Sequence, residues 1–534
     1  MNPQRCSSSL SVTGNFIPAS SRSQLTRISD VVTLWAERSP NLPALVEAGG
    51  SWTYTQLASA IADTQIWLSN SGVRPGDRVM IVCENCRAFV AMLFAITNLD
   101  AWPVLVNARL SANEVDTIRD HCYARLTVYT IGVSPHAANH AERHGASIHE
   151  LGDAGSVAVS GLNENVEPET VDADPQERVA ALIYTSGTTG VPKGVMLTHK
   201  NLLFMASASS KIRKLTPNDR LYSILPMSHA VGLSVVLLGG LLSCASVYPS
   251  PRFDPMTARR TMEKERLTIV LGVPAMFAQM VEYAKLRGLK RLELPHLRII
   301  SSSGAPLHPA TKAAVEELFG LVLHNGYGIT ECSPTIAQAV PEEPRSDTSV
   351  GKILPGLEVK FVDPEGGEVG PGEVGELRVR GRNVMKGYYR APEETAAVID
   401  SEGWFNTRDL ARIEEGFLFI VGRTKELIVH RGFNVYPAEV EAAISAHPSV
   451  ARCAVIGRRR NGDEEVIAFV QPVALATVGP AELAEHAASR LAGYKRPAEI
   501  HIVQELPVTP TGKIAKNELA KLFADPVTAG TPQA

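Results

Sequence analysis

Apolar and polar positions alternate in blocks along the chain, and the block lengths predict its elements. DRVMIVC (77–83) is an apolar run after one charged pair, the pattern of a strand covered on both faces. AFVAMLFAITNLDA (88–101) is long enough for a helix, and WPVLVN (102–107) reads as the next strand. The same rhythm returns at RVAALIYT (178–185), LTIVLGV (267–273) and LRIISSSG (297–304). Strands separated by helical stretches imply α/β layers with parallel pairing. The apolar run at 230–245 falls short of the roughly 18 residues that span a bilayer, and Ser, Gly and Cys interrupt it. It predicts a buried helix.

Between 350 and 390 the texture changes. DPEGGEVGPGEVGELRVRG (363–381) has closely spaced glycines and short alternating stretches, which predict hairpins. From about residue 425 a smaller unit follows, with helices at PAEVEAAISAH (437–447) and PAELAEHAASRLAG (480–493), each opened by a proline. The expected architecture is α/β: a large domain over 29–422, built of two α/β sheets and a β-rich subdomain, and a small mobile α+β domain over 423–524. Residues 1–28 and 525–534 are expected to be disordered tails. The first 29 residues carry Arg5, Arg22 and Arg27, many serines and no acid before Asp30, but no amphipathic repeat that would make a transit peptide.

Composition narrows the class. A length of 534 residues exceeds one ordinary core, and 45% hydrophobic with 20% charged residues fits a globular chain. A net charge of -4 without a long basic run gives no footprint for nucleic acid. Seven scattered cysteines are no disulfide framework; they fit a reducing, cytoplasmic setting. Cys83 and Cys86 form one C-x-x-C, which lacks the second half of a zinc site and reads as part of a strand-to-helix junction.

The chemistry starts where RVAALIYT empties into YTSGTTGVPKG (184–194). A strand ending in hydroxyls and glycines presents backbone N–H groups to one point, and Lys193 adds a compact charge. The spacing is not that of the common P-loop, whose lysine precedes Ser or Thr.

Four further segments follow in order: NGYGITE (325–331), TRD (407–409), GRTKELIVHRGFNVYPAEVE (422–441) and PTGK (510–513). Together with TSGTTGVPKG they resemble the adenylate-forming superfamily of acyl-CoA synthetases, peptide-synthetase adenylation domains and firefly-type luciferases, over about residues 30–522. The resemblance implies a two-step reaction: a carboxylate attacks the α-phosphorus of ATP to give acyl-AMP and pyrophosphate, and a thiol then displaces AMP. It assigns the β- and γ-phosphates to Thr185, Ser186, Gly187, Thr188, Thr189, Gly190 and Lys193, the α-phosphate to Thr330, and a bridging Mg²⁺ to Glu331. Tyr327 would stack on adenine beside Ala305, Asn325 and Gly326. Asp409 and Arg423 would hold the ribose; Arg408 stands where the family usually has glycine. Lys513 would stabilise charge developing on the α-phosphate. Because Lys193 and Lys513 lie on different domains, the small domain must close over the large one. The family's hinge falls on Lys425, and Arg431, Gly432 and Phe433 would then meet coenzyme A, with Val429 where some relatives carry a lysine.

LPMSHAVGLSVVLLGG (225–240) matches the family's acyl-pocket entrance. His229, Val231, Gly232, Ser303, Gly304, Cys332, Ser333 and Pro334 are the expected walls. They are small or apolar and offer no partner for a second charge, which favours a monocarboxylic acid, fatty or aromatic. The aspartate with which amino-acid-activating relatives hold the ammonium group is absent from this stretch. The acceptor is coenzyme A or a carrier-protein pantetheine, and the chain is expected as a monomer or homodimer. A non-catalytic nucleotide-binding relative is disfavoured by the presence of Glu331, Asp409, Arg423 and Lys513 together.

Overall fold

The computed structural model describes residues 25–185, 192–431, 433–460, 463–473, 476–508, 514–516, 518–519 and 521. Two large sheets face each other across one core. The first has eight strands, with Arg78–Cys83, Trp102–Asn107, Leu126–Tyr129 and Val179–Thr185 in parallel at its centre. The second has nine, with Leu323–Gly328, Ile299–Ser302, Ile269–Gly272, Arg220–Ser223 and Ser246–Pro249 parallel in that order. Between the sheets runs the helix Arg87–Asn98, in which every residue from Ala88 to Thr97 is buried. An all-round apolar helix needs such a double cover. Val79 and Ile81 of one sheet and Leu45 and Val247 of the other belong to the same core. At about 1.5–3 kcal/mol for each large apolar side chain removed from water, this shared layer fixes the sheets to one another.

Capping residues delimit the helices around that core. Thr53 with Gln56, Ser111 with Glu114 and Thr198 with Asn201 each form a reciprocal capping box, satisfying N–H groups that the first turn leaves free. The strand Lys193–Thr198 therefore turns directly into the helix His199–Ile212.

A four-stranded antiparallel sheet, Leu357–Val362, Gly375–Gly381, Phe405–Glu414 and Phe417–Arg423, is the hairpin unit that the glycines predicted. Beyond it, Val450–Arg460, Asp463–Pro472 and Glu499–Ile502 form a three-stranded sheet packed with the helices Pro437–Ser445 and Pro480–Ala488. This is the small domain, with its own core.

One boundary is corrected. The expected N-terminal tail reaches residue 28, yet Leu25 and Ile28 lie in the main core, and the Ile28 N–H donates to His199 Nδ1 at 3.1 Å. Apolar side chains set among serines bury wherever a surface accepts them, and local polarity hid this. The apolar run from 230 is the buried helix expected there, with Val231–Leu238 a π-helix and Gly239–Leu242 α. Cys83 and Cys86 are buried at the strand-to-helix junction, where burial pushes the Cys86 thiol up to about 12. No cluster of metal-ligating side chains occurs among the described residues, and none of their helices is long and apolar enough to cross a membrane.

Candidate active site

The strands Val179–Thr185 and Lys193–Thr198 are antiparallel neighbours with Thr185 opposite Lys193. The hydroxyl- and glycine-rich segment is thus the link between two paired strands. Ser186, Gly187, Thr188, Thr189 and Gly190 lie outside the described residues, as do Gly432 and Lys513.

Lys193 is positioned by a residue that the sequence reading passed over. Its Nζ sits 5.0 Å from the centre of the Tyr388 ring, and the Tyr388 hydroxyl donates to Glu331 Oε1 at 2.9 Å. Tyr388 pairs with Val195 across the sheet edge, and its N–H donates to Thr395 Oγ1 at 2.9 Å. The neighbouring Met385 N–H donates to the Glu331 carbonyl at 2.8 Å. Thr330 and Glu331 sit in a short 3₁₀ turn, Thr330–Cys332, closed by Ser333 at φ 68°. Burial and the Glu331 carboxylate push the Tyr388 phenol well above its usual range, so it stays a donor at neutral pH. A carboxylate, a phenol and an ammonium therefore share one wall.

The second group comes from three strands. Tyr327, near the end of Leu323–Gly328, donates its hydroxyl to Asp409 Oδ2 at 2.5 Å. Asp409 and Arg423 are cross-strand partners, and Arg423 Nε lies 3.0 Å from Asp409 Oδ1. Asp409 is buried, 3% exposed, whereas the Arg423 side chain is 54% exposed, so the pair has a closed base and an open rim. Attraction to Asp409 raises the pKa of the Arg423 guanidinium. Arg408 has φ 59°, the left-handed region where glycine is at ease, at the position where it replaces the family's glycine. Asn325 Oδ1 accepts from the Gly326 N–H at 3.0 Å, and its Nδ2 donates to the Thr348 carbonyl at 3.0 Å. Ala305 follows Gly304, whose φ is +82°.

A narrow cleft with a cavity volume of about 20 Å³ opens between these strands and the π-helix. Val231, Ser303, Gly304 and Pro334 line it, together with Gly326 and Tyr327 from the base-site segment. Residues expected at the acyl site and residues expected at the base site thus line one cleft. Four other expected wall residues are placed differently. Cys332 and Ser333 are fully buried, and Ser333 is fixed by its hydroxyl on the Asn383 carbonyl and by Ser234 Oγ on its own carbonyl. Gly232 is pressed against the Pro226 backbone. His229 is half-buried just before the π-helix, where its N–H donates to the Pro226 carbonyl at 3.0 Å. Two polar residues that the sequence reading missed, Arg213 and Gln338, also line the cleft.

In the small domain, Lys425 is exposed in the 3₁₀ turn Thr424–Glu426. Arg431 is exposed at φ 53° with its N–H on Asp463 Oδ1 at 2.8 Å. Phe433 is 54% exposed and stacks on Tyr494, with ring centres 4.7 Å apart.

Comparison with known proteins extends this picture. The family described as "AMP-binding enzyme" matches residues 32–389, and "AMP-binding enzyme C-terminal domain" matches 439–513. A feruloyl-CoA synthase from Amycolatopsis is 34% identical over 495 residues, spanning 91% of this chain and 97% of that protein. A 4-coumarate–CoA ligase from Oryza sativa subsp. japonica is 31% identical over 511 residues, spanning 92% and 90%. Among solved structures, ATP-bound MatB from Rhodopseudomonas palustris superposes with a TM-score of 0.80 at 30% identity, covering 92% of this chain and 99% of that one. The two-sheet large domain and the small C-terminal domain agree with these matches along most of the chain, which belongs to the AMP-binding enzyme family, the adenylate-forming superfamily that its motifs resemble.

Proposed function

We propose that the protein is an ATP-dependent acid–thiol ligase that activates an aromatic or fatty carboxylic acid as its acyl-adenylate and passes the acyl group to coenzyme A. The observation that carries this is the shared wall: Gly326 and Tyr327 border the acyl cleft, and Tyr327 is tied to Asp409 and Arg423. A carboxylate in the cleft would therefore lie beside a nucleotide held by that group. A carboxylic acid with a pKa of about 4 is already ionised at neutral pH, so the first step needs no general base. Its obstacle is bringing an anion to a polyanion, which asks for fixed positive charge and in-line positioning. Lys193 supplies charge at one end, held over Tyr388. Lys513 would supply it at the α-phosphate.

The oxygen donors fit a hard cation. Glu331 offers a carboxylate whose one oxygen is fixed by Tyr388, and phosphate oxygens would complete the set. When bound there, Mg²⁺ neutralises phosphate charge; Glu331 is the residue that would hold it. The relatives named for feruloyl-CoA and 4-coumarate–CoA chemistry support an aromatic acid. The exposed Arg431 and Phe433, beside Gly432, are the groups that would meet the pantetheine arm.

The test is a panel of aryl and medium-chain acids scored for pyrophosphate release, with coenzyme A, with a pantetheine-loaded carrier protein, or with neither. Acid-dependent pyrophosphate release followed by thioester with free coenzyme A is expected. Thioester only with the carrier protein would reassign the acceptor, and no release with any acid would overturn the ligase reading.

A further inference from the structure

The cleft contains a cation that the acid-activating chemistry does not use. Arg213 follows the helix His199–Ile212 directly, is 5% exposed, and lines the cleft with Gln338. Its guanidinium makes two hydrogen bonds, both to neutral acceptors: Nη1 to Ser209 Oγ at 3.0 Å and Nη2 to Gln338 Oε1 at 3.0 Å. Among the described residues it has no carboxylate partner. The acids that act with Arg213 on His324 are committed elsewhere: Glu342 pairs with Lys214, and Glu316 with Lys312. Burial lowers the guanidinium pKa to about 10, which leaves it charged at neutral pH. Nearby, His324 is driven toward its neutral form by burial and by the Arg213 charge.

A buried charge without a counter-ion is costly, and the dipole at a helix C-terminus offsets only part of that cost. The surroundings nevertheless hold the fork in place. Gln338 is 5% exposed, and its Nε2 donates to the Asn325 carbonyl at 3.2 Å and to Ser301 Oγ at 3.3 Å. Its amide is thereby turned so that Oε1 meets Arg213. Gly326 leaves room for this: a Cβ there would stand 2.7 Å from Gln338 Oε1. Guanidinium donors not spent on Ser209 and Gln338 remain, in a geometry that matches a carboxylate.

We propose that Arg213, oriented by Gln338, determines specificity in the acyl cleft, and that the preferred acid carries a second carboxylate at the end remote from the one that is activated. This rests on the acid-binding reading of the cleft given above. It departs from the sequence expectation of a monocarboxylic acid, whose ground was a lining without a cation.

Matched pairs of acids test it: cinnamate against 4-carboxycinnamate, and octanoate against octanedioate, so that both shape and length are sampled. Each pair is measured by calorimetric affinity in the presence of a non-hydrolysable ATP analogue and by kcat/KM for pyrophosphate release. The wild-type protein is expected to favour the dicarboxylate of at least one pair by about 10-fold or more, the scale of one hydrogen bond to a charged group. Arg213→Met should reverse that preference, and Arg213→Lys, which keeps the charge without the fork, should fall between. The ratio is taken within one preparation, so a loss of folded protein cancels from it. Wild-type ratios near one or favouring the monoacid in both pairs, or a preference unchanged in Arg213→Met, overturn the proposal. Discrimination in binding without pyrophosphate release upholds the role of Arg213 and removes the ligase reading; pyrophosphate release at ratios indifferent to Arg213 does the reverse.

Discussion

Tyr388 is the residue at which Lys193 and Glu331, the charges proposed for phosphate and for metal, meet. Its hydroxyl holds one oxygen of Glu331, and its ring carries Lys193 on its face. Without it, Glu331 and Lys193 would each be free to swing, and an ammonium could close on the carboxylate and remove both from use. Tyr388→Phe keeps the ring and the packing but loses the hydrogen bond to a charged acceptor, worth about 1.5–3 kcal/mol. We expect kcat/KM for ATP in acid-dependent ATP–pyrophosphate exchange to fall by about 10-fold or more, with thermal stability almost unchanged and more Mg²⁺ needed for half-maximal rate. An unaltered exchange rate would reduce Tyr388 to a packing residue. The sequence could not expose this role, because KGYY carries no motif and an aromatic near a sheet edge is usually a strand residue. Arg213 was hidden for a different reason. A basic residue at the end of HKNLLFMASASSKIR reads as a solvated complement to the helix dipole. Only the packing of that helix against the cleft shows the charge to be buried. At Arg408 the departure from glycine suggested a shifted loop but gave no sign of the φ of 59° that the structure shows.

Among the elements, the π-helix Val231–Leu238 sets the acyl cleft's wall, since Val231 and Val235 both line it. Composition gave a helix there correctly, but VGLSVVLL is apolar on every side, and no periodicity distinguishes a wider helical turn from an α-helix. The strands were legible because their apolar runs are short and bounded: Trp102–Asn107 starts and stops where the pattern said. What registers the π-helix is a close backbone approach at Gly232, where a Cβ would stand 2.2 Å from the Pro226 carbonyl oxygen and 2.8 Å from that of Leu225. Backbone atoms on both sides cannot yield as a flexible side chain would. Gly232→Ala is therefore expected to cost about 2 kcal/mol or more in denaturant unfolding and to raise KM for the acid as Val231 shifts. Gly161→Ala, with nothing within 4 Å of the added Cβ, is the matched control and should change stability by less than about 0.5 kcal/mol. Equal effects from the two would mean that Gly232 does not fix the helix.

At the scale of the whole molecule, the proposed reaction asks two separate cores to act on one nucleotide. The large domain ends at Arg423, anchored to Asp409, and the small domain's core begins at Ile428, 1% exposed. Between them the turn Thr424–Glu426 exposes Lys425, while Thr424 Oγ1 donates to Glu376 at 2.7 Å on the large-domain side. On the other side Lys516 pairs with both Glu426 and Glu441 at 2.8 Å. The turn is thus anchored on both sides of Lys425, the residue proposed as the hinge. Lys513 lies outside the described residues; to either side of it in sequence, Val508 and Ile514 pair with each other, and Lys516 binds Glu441 of the small domain. Lys193 is fixed to the large one. If the small domain delivers Lys513 to the α-phosphate in one orientation and the Arg431–Phe433 ribbon to the thiol in another, the half-reactions can be broken independently. Lys513→Ala is expected to lower acyl-AMP formation by about 100-fold or more, the scale of removing one charge that stabilises the transition state, while thioester formation from supplied acyl-AMP stays within a few-fold of wild type. Lys425→Pro stiffens the hinge and should do the opposite, sparing pyrophosphate release and slowing the thioester step. Single-turnover assays of each half-reaction on both variants separate these effects. Parallel losses in the two half-reactions, in either variant, would mean that the domains form one fixed site and that Lys425 is no pivot.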